Sequence, residues 1–191
     1  MKNLYLASKN KGKIAEYKKL LARVNCKLLL QPEELEVEED GLTFRENAIK
    51  KASEVSRKTN NFSIADDSGI CIEALDGKPG IYSSRYAEND QKRIERVLKE
   101  LEGVQNRSAF FIANICICSP YGEVIIESEA KCYGNIIFDP RGKGGFGYDP
   151  IFEESSTGLT FAEMNSDIKD SFSHRGKALK KIIPDLIEIF S

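Results

Sequence analysis

An apolar run, a basic turn, an amphipathic stretch and a second apolar run open the chain in that order. Residues 3–7 (NLYLA) read as a strand, and residues 8–12 as a polar turn. Ile14, Tyr17, Leu20 and Leu21 recur at helical spacing and predict a helix to about Val24. Residues 27–30 return as a short strand. Parallel neighbours need a crossover, and a helix is the usual one, so this opening predicts a parallel sheet with helices on its faces.

The rest of the chain extends that pattern. Residues 33–40 (EELEVEED) form an acidic stretch. Thr43 and Glu46 then have the spacing of a capping box, with a helix to about Arg57 or Lys58. Residues 62–65 (FSIA) read as a strand ending in Asp66-Asp67-Ser68-Gly69, and an extended segment resumes at Ile70. Residues 76–87 are a long loop rich in Gly, Ser and Pro, and residues 90–101 a charged amphipathic helix. Two long strand-like runs, 109–118 and 124–132, flank the turn sequence Ser119-Pro120-Tyr121-Gly122 and predict a hairpin. Residues 139–150 are a glycine-rich loop. Thr160 and Glu163 suggest a second capping box opening a short helix. Ser173 caps a final helix that Pro184 must kink or interrupt. No repeat or linker divides the chain, which predicts a single mixed α/β domain over residues 1–191.

Composition narrows the function classes. With 41% hydrophobic and 30% charged residues, the chain can bury a core and solvate its surface. A formal net charge of -2 speaks against a nonspecific nucleic-acid binder. No apolar run reaches a membrane span and the N-terminus lacks a signal-peptide core, so a cytoplasmic protein is expected. The five cysteines form no C-x-x-C pair. Cys116 and Cys118 would share one face of a strand, and reduced, mostly buried thiols are the simplest reading.

Five segments carry residue types suited to phosphate chemistry. Ser8, Asn10 and Lys13 sit where a strand passes into a helix, and unpaired backbone N–H groups there favour a phosphate. Lys13 in the first helical turn opposes the helix dipole, which hints at an anion. An ordinary polar connection accounts for the same residues. Asp66 and Asp67 follow a buried strand, where α/β sheets place ligands, and one acid should face the ligand. A carboxylate there can hold magnesium. An Asx turn before Gly69 is the alternative. Asn47 and Lys51 share a helix face, as do Glu46 and Lys50. Glu39 could reach a metal or stand as a solvated acid. In residues 142–149 (GKGGFGYD), glycines would let backbone approach a flat ligand and Phe146 or Tyr148 could stack on a base. Lys169, His174 and Arg175 form the last group. Arginine can donate two bonds to an acceptor pair such as purine O6 and N7.

Taken together, ASKNKGK, GLTFRENAIKKA, ADDSGICIEALDGKPGIYSSRYA, GKGGFGYDPIF and SHRGKAL resemble, in order, the inosine/xanthosine triphosphate pyrophosphatase family. The resemblance runs from Leu4 to about Lys180. It implies an α/β fold with a long mixed central sheet flanked by helices, two lobes around a central substrate cleft, and usually a homodimer. It implies magnesium-dependent hydrolysis of ITP, dITP or XTP to the monophosphate and pyrophosphate. Ser8, Asn10, Lys13 and Lys51 would then hold the triphosphate, and Glu39 and Asp67 the Mg2+, with Asp67 as proton acceptor. Ser68 would touch the substrate. Phe146, Gly147, Tyr148 and Asp149 would embrace the base, with Lys169, His174 and Arg175 closing the pocket. Donors such as Arg175 suit a 6-oxo purine and oppose the adenine amino group, a penalty of about 1–3 kcal/mol per lost partner. Two other readings remain for the residues themselves. One is a pyrophosphatase of the same architecture acting on other damaged or modified nucleotides, pyrimidines among them. The other is a nucleotide-binding regulatory module without turnover, which would have no use for a proton acceptor.

Overall fold

The computed structural model describes residues 1–191. Six strands form one sheet in the order β2-β1-β3-β4-β5-β6. They are β1 (Lys2–Leu6), β2 (Cys26–Leu30), β3 (Phe62–Ile72), β4 (Ser108–Cys118), β5 (Val124–Ile136) and β6 (Phe152–Glu154). The helices are α1 (Lys11–Leu20), α2 (Phe44–Thr59), α3 (Asp90–Glu100), α4 (Ser166–Phe172) and α5 (His174–Phe190). β1 pairs in parallel with β2, Leu4 opposite Leu28, and with β3, Leu6 opposite Ile64. β5 and β6 are antiparallel, with Ile136 opposite Phe152. The sheet is therefore mixed, as expected. No helix is long and apolar enough to cross a membrane.

The chain forms two compact units, one of Met1–Asp67, Ala113–Ala130 and Arg175–Ser191, the other of Ser68–Ile112 and Lys131–His174. In the first unit the strands bury both faces. Leu4, Leu6, Ile64, Ile115 and Ile117 pack with Tyr17 and Leu21 near α1 and with Leu179, Ile182 and Leu186 of α5. Their strand neighbours Ala65, Cys116 and Cys118 join a different cluster with Ala48, Ala52 and Val55 of α2. Successive strand side chains point to opposite faces, so α2 covers one face and α1 with α5 the other. In the second unit, α3 buries Ile94 and Val97 in a cluster with Ile70, Ile72, Phe111, Phe152 and Phe161. The predicted hairpin forms: Ser119 N donates to Glu123 O at 2.8 Å and Gly122 N to Ser119 O at 3.0 Å.

Several expectations from the sequence need correction. Asp66-Asp67-Ser68-Gly69 is not a turn, because β3 runs unbroken from Phe62 to Ile72. Both carboxylates find cationic or amide partners on the neighbouring helices, so nothing forces them into solvent. The loop predicted for residues 76–87 contains a 3-10 turn over Gly80–Arg85. Thr160 and Glu163 do exchange both capping hydrogen bonds, 3.2 and 2.8 Å. They close a single turn, however, and the helix that follows starts at Ser166 under its own cap, Asn165. Pro184 does not interrupt α5. It is exposed, where water can satisfy the carbonyl a proline leaves unbonded, while buried Ile182, Leu186 and Phe190 hold the helix down. Lys50 bonds Asp40 at 2.7 Å rather than pairing with Glu46.

Gly134 allows β6 to lie against β5. A Cβ there would fall 2.2 Å from the Glu153 carbonyl oxygen and 2.6 Å from the Phe152 ring. Backbone cannot swing aside as a flexible side chain can. We expect Gly134→Ala to lose about 1–3 kcal/mol, the usual range for overpacking. The loss would appear as a lower urea midpoint at unchanged slope. An unchanged midpoint would mean that the β5–β6 pairing yields freely.

Candidate active site

Two helix starts aim two lysines at the middle of β3. Asn10 caps α1, its Oδ1 accepting from Lys13 N at 3.0 Å, and Ser8 Oγ accepts from Asn10 N at 3.2 Å. Both side chains thus build the turn that the sequence marked as a phosphate cradle. Lys13 leaves that first turn and donates to the Asp66 carbonyl oxygen at 3.2 Å. On α2, Thr43 Oγ1 accepts from Glu46 N at 3.1 Å, as a capping box requires. Glu46 returns its carboxylate to Leu42 N, at 2.7 Å. One turn on, Asn47 and Lys51 face the strand together. Asn47 Nδ2 donates to Asp67 Oδ2 at 3.2 Å. Lys51 Nζ donates to Glu39 Oε1 at 2.7 Å, to the Asp66 carbonyl at 2.9 Å and to Asp67 Oδ1 at 3.2 Å.

Glu39 reaches Lys51 because the preceding loop folds back onto α2. Gly41 N donates to Asn47 Oδ1 at 2.8 Å. A Cβ on Gly41 would sit 2.7 Å from that oxygen and 2.9 Å from Glu46 Cβ, so the approach needs glycine. Asp66 points the other way. Its Oδ2 accepts from Arg175 Nε at 2.5 Å, and Arg175 Nη1 also bonds Glu16. Lys13 Nζ stands 3.6 Å from Asp66 Oδ1. Arg175 and Asp66 are 2% and 1% exposed, so this is a fully buried ion pair.

Neighbouring acids consequently titrate in opposite directions. Burial raises the Asp66 carboxyl, but Arg175 and Lys13 overcome it and hold the group well below the usual carboxylate range. Burial raises Asp67, and Lys51 and Lys13 recover only part of the shift while Glu39 adds to it. Burial lowers Lys13, with partial compensation from Asp66. Burial also acts to lower Lys51, but Asp67 and Glu39 outweigh it and its ammonium is favoured. Lys13, Lys51 and Arg175 against Glu16, Glu39, Asp66 and Asp67 sum to three minus four, one formal negative charge. That excess suits an added cation. No group of three or more His, Cys, Asp or Glu side chains gathers to cage one. Two hard carboxylates, Glu39 and Asp67, fit magnesium, which is commonly held by one or two carboxylates and completed by water and phosphate.

In the second unit the glycine-rich loop is tied down. Asp149 Oδ2 accepts from Phe146 N at 2.9 Å and from Lys169 Nζ at 2.6 Å. Gly147 N donates to Asp90 Oδ2 at 2.8 Å. Gly145 has φ +73°, and a Cβ on it would lie 1.9 Å from Asp149 Oδ2. Lys169 Nζ sits 4.8 Å from the half-buried Phe146 ring. Tyr148 is buried, its hydroxyl donating to the Ser83 carbonyl at 2.8 Å, so Phe146 is the better placed of the two aromatics to meet a ligand. His174 stacks on Phe111 at 4.8 Å and 8°. Phe146, Asp149 and Lys169 thus come together, and His174 packs with aromatics of the same unit. Arg175 commits two nitrogens to Asp66 and Glu16 in the first unit. Ser68 lies on β3 directly after Asp67. The sequence reading missed Asp90, Glu16 and Gly41, and assigned Asp66 no partner. Asp90, next to the cap residue Asn89, was open to notice. The partners of Arg175 lie 109 and 159 residues away and leave no local signal. All five cysteines are reduced thiols, and Cys116 and Cys118 do share a face, their sulfurs 3.9 Å apart.

Fold and site together define a mixed α/β protein with buried carboxylates and lysines gathered on a central strand. The Ham1 family model matches residues 4–185. A dITP/XTP pyrophosphatase from Prochlorococcus marinus subsp. pastoris is 80% identical over 191 residues, covering 100% of both chains. One from Nostoc sp. is 48% identical over 190 residues, 100% of this chain and 97% of that one. The structure of a HAM1 protein from Coxiella burnetii superposes with a TM-score of 0.89 at 40% identity, covering 98% of this chain and 100% of that one. The Staphylococcus aureus Ham1 protein gives 0.87 at 34% identity, with the same coverage. The chain belongs to the Ham1 family.

Removing the Asp66 charge takes a buried carboxylate from both Arg175 and Lys13. We expect Asp66→Asn to lose about 3–5 kcal/mol in urea melts at neutral pH, the usual cost of breaking a buried pair. The folded Asp66 value lies below the unfolded one, near ~3.9. Its contribution is therefore present above that pH and lost as pH falls through the folded value, so the two proteins should converge in acid. Equal stability at pH 7 would remove Asp66 as the anchor of the cluster.

Proposed function

We propose that this chain hydrolyses non-standard purine nucleoside triphosphates, dITP, ITP and XTP, to the nucleoside monophosphate and pyrophosphate. The observation that carries the reading is the convergence of Lys13 and Lys51 on the Asp66 carbonyl, 3.2 and 2.9 Å away, beside the buried carboxylate of Asp67. Two cations and a proton acceptor whose affinity is raised are what attack on an anionic phosphorus requires. The names of the bacterial relatives support the same substrate class.

In this proposal Lys13 and Lys51 bind the triphosphate, with Ser8 and Asn10 shaping the α1 start that presents backbone N–H groups. Glu39 and Asp67 would hold a divalent ion, magnesium, which would further neutralise the phosphates when bound. Asp67 accepts the proton of the water that attacks the α-phosphorus, and the bond to pyrophosphate breaks. Ser68 touches the substrate. Phe146 stacks on the base, with Gly147, Tyr148 and Asp149 fixing its loop and Lys169 and His174 bordering the base site. Arg175, with five N–H groups, would present a donor to the base. Residues 1–191 act as one pyrophosphatase domain in a cytoplasmic homodimer.

The test is a divalent-ion-dependent panel of dITP, ITP, XTP, GTP, ATP and modified pyrimidine triphosphates, read for pyrophosphate against orthophosphate. We expect the first three to be preferred and pyrophosphate to be the product; orthophosphate, or a pyrimidine preference, would overturn the reading. Asp67→Asn should lower kcat by about 10²-fold or more. The folded value of Asp67 is raised, so its stabilising effect exists in acid and is lost as pH rises through that value. The variant should therefore melt no lower than the parent at pH 7, and full turnover in it would exclude Asp67 as the base.

A further inference from the structure

We propose that Lys51 keeps divalent cations off the Glu39–Asp67 pair until a triphosphate arrives, so that metal and nucleotide bind cooperatively. This rests on the reading that these two carboxylates hold the metal. An ammonium group has three donors and no acceptor. Lys51 directs them at Glu39 Oε1, Asp67 Oδ1 and the Asp66 carbonyl, at 2.7, 3.2 and 2.9 Å. Its side chain is buried, so the ammonium has little water to turn to. The lysine therefore spans the same two carboxylates that a divalent ion would need.

Two cations cannot share that pair cheaply. At such separations in a partly buried site, weak screening makes them repel strongly. A metal entering alone must move Lys51 off both carboxylates and leave its charge without a partner. A triphosphate changes the balance because its oxygens accept from the displaced ammonium. The lysine stem has four rotatable bonds and can make that move while α2 stays fixed. The carboxylates need not follow. Asn47 holds Asp67 Oδ2 at 3.2 Å, and the Gly41–Asn47 bond of 2.8 Å pins the loop that carries Glu39. Each ligand then raises the affinity of the other by the same factor, as linkage requires.

Mn2+ binding to the full chain, followed by calorimetry or electron paramagnetic resonance, tests this. The nucleotide arm uses the α,β-methylene analogue of ITP, which cannot be cleaved at the reacting bond. We expect weak Mn2+ binding to the nucleotide-free parent and binding at least tenfold tighter with the analogue. Lys51→Met should bind Mn2+ at least tenfold tighter than the parent without nucleotide, and the analogue should then add less than it adds in the parent. Lys51→Gln, which keeps a donor for Asp67, provides the same comparison if the methionine variant folds poorly. If Glu39→Gln and Asp67→Asn leave Mn2+ affinity unchanged, the metal reading itself falls, and this proposal with it. If they weaken Mn2+ binding while neither Lys51 variant gains affinity, the cooperative role of Lys51 is wrong and the metal reading stands.

Discussion

Two adjacent aspartates on an unbroken strand cannot face the same way, and the organisation of this site follows from that. β3 passes through Asp66 and Asp67 without turning. Its pleat sends Asp66 to Arg175 and Asp67 to Asn47 and Lys51. Buried to nearly the same degree, the two carboxyls end up on opposite sides of their ordinary range. Asp66 gains a bonded guanidinium, while Asp67 shares its lysine with Glu39. Identical residue types side by side thus acquire different chemistry. One stays ionised and holds the cluster together; the other has a raised proton affinity, as a base needs.

The helices matter here chiefly through their first turns. Asn10 fixes where α1 begins, and so where Lys13 leaves it. Thr43 does the same for α2 and therefore for Asn47 and Lys51. Gly41 adds the one feature that the cap does not supply, a close fold-back that brings Glu39 to the lysine. A cap shifted by one residue would rotate the lysine about 100° around its helix and away from β3. Glu46 illustrates how little of this depends on an ideal motif. Its carboxylate bonds Leu42 N instead of completing the box at Thr43, yet α2 starts where the sequence placed it.

Elements governed by local chemistry were the ones legible in the sequence. Thr43, the helical spacing before Leu101 and the Ser119–Gly122 turn each depend on residues a few positions apart, and α2, α3 and the β4–β5 hairpin formed accordingly. What misled was local chemistry overruled by distant partners. Asp66-Asp67-Ser68-Gly69 has the composition of a turn, but cations from α1, α2 and α5 make its charges compatible with a buried strand. Pro184 reads as a kink or break, but α5 runs through it, because a buried apolar stripe on either side outweighs the roughly 3 kcal/mol a proline can cost. In the site, Asn47 and Lys51 were readable as one face because their spacing is helical. Arg175 was readable as a donor, but its engagement with Asp66 and Glu16 was not, since nothing in the intervening sequence marks it.

The cluster also explains why a costly site can persist in a stable fold. Burying Asp67 with a raised proton affinity works against stability at neutral pH. The neighbouring Asp66–Arg175 pair works in the opposite sense, because its carboxyl is held ionised. Lys51 connects the two through the Asp66 carbonyl and the Asp67 carboxylate, so the stabilised and the destabilised acid share one cation. The acid whose burial is costly and the acid that anchors the cluster are then a single residue apart on the strand. A change that loosens Arg175 should disturb the position of Lys13 and Lys51 as well as the fold, and effects on stability and on the proposed phosphate binding in this region should not be additive.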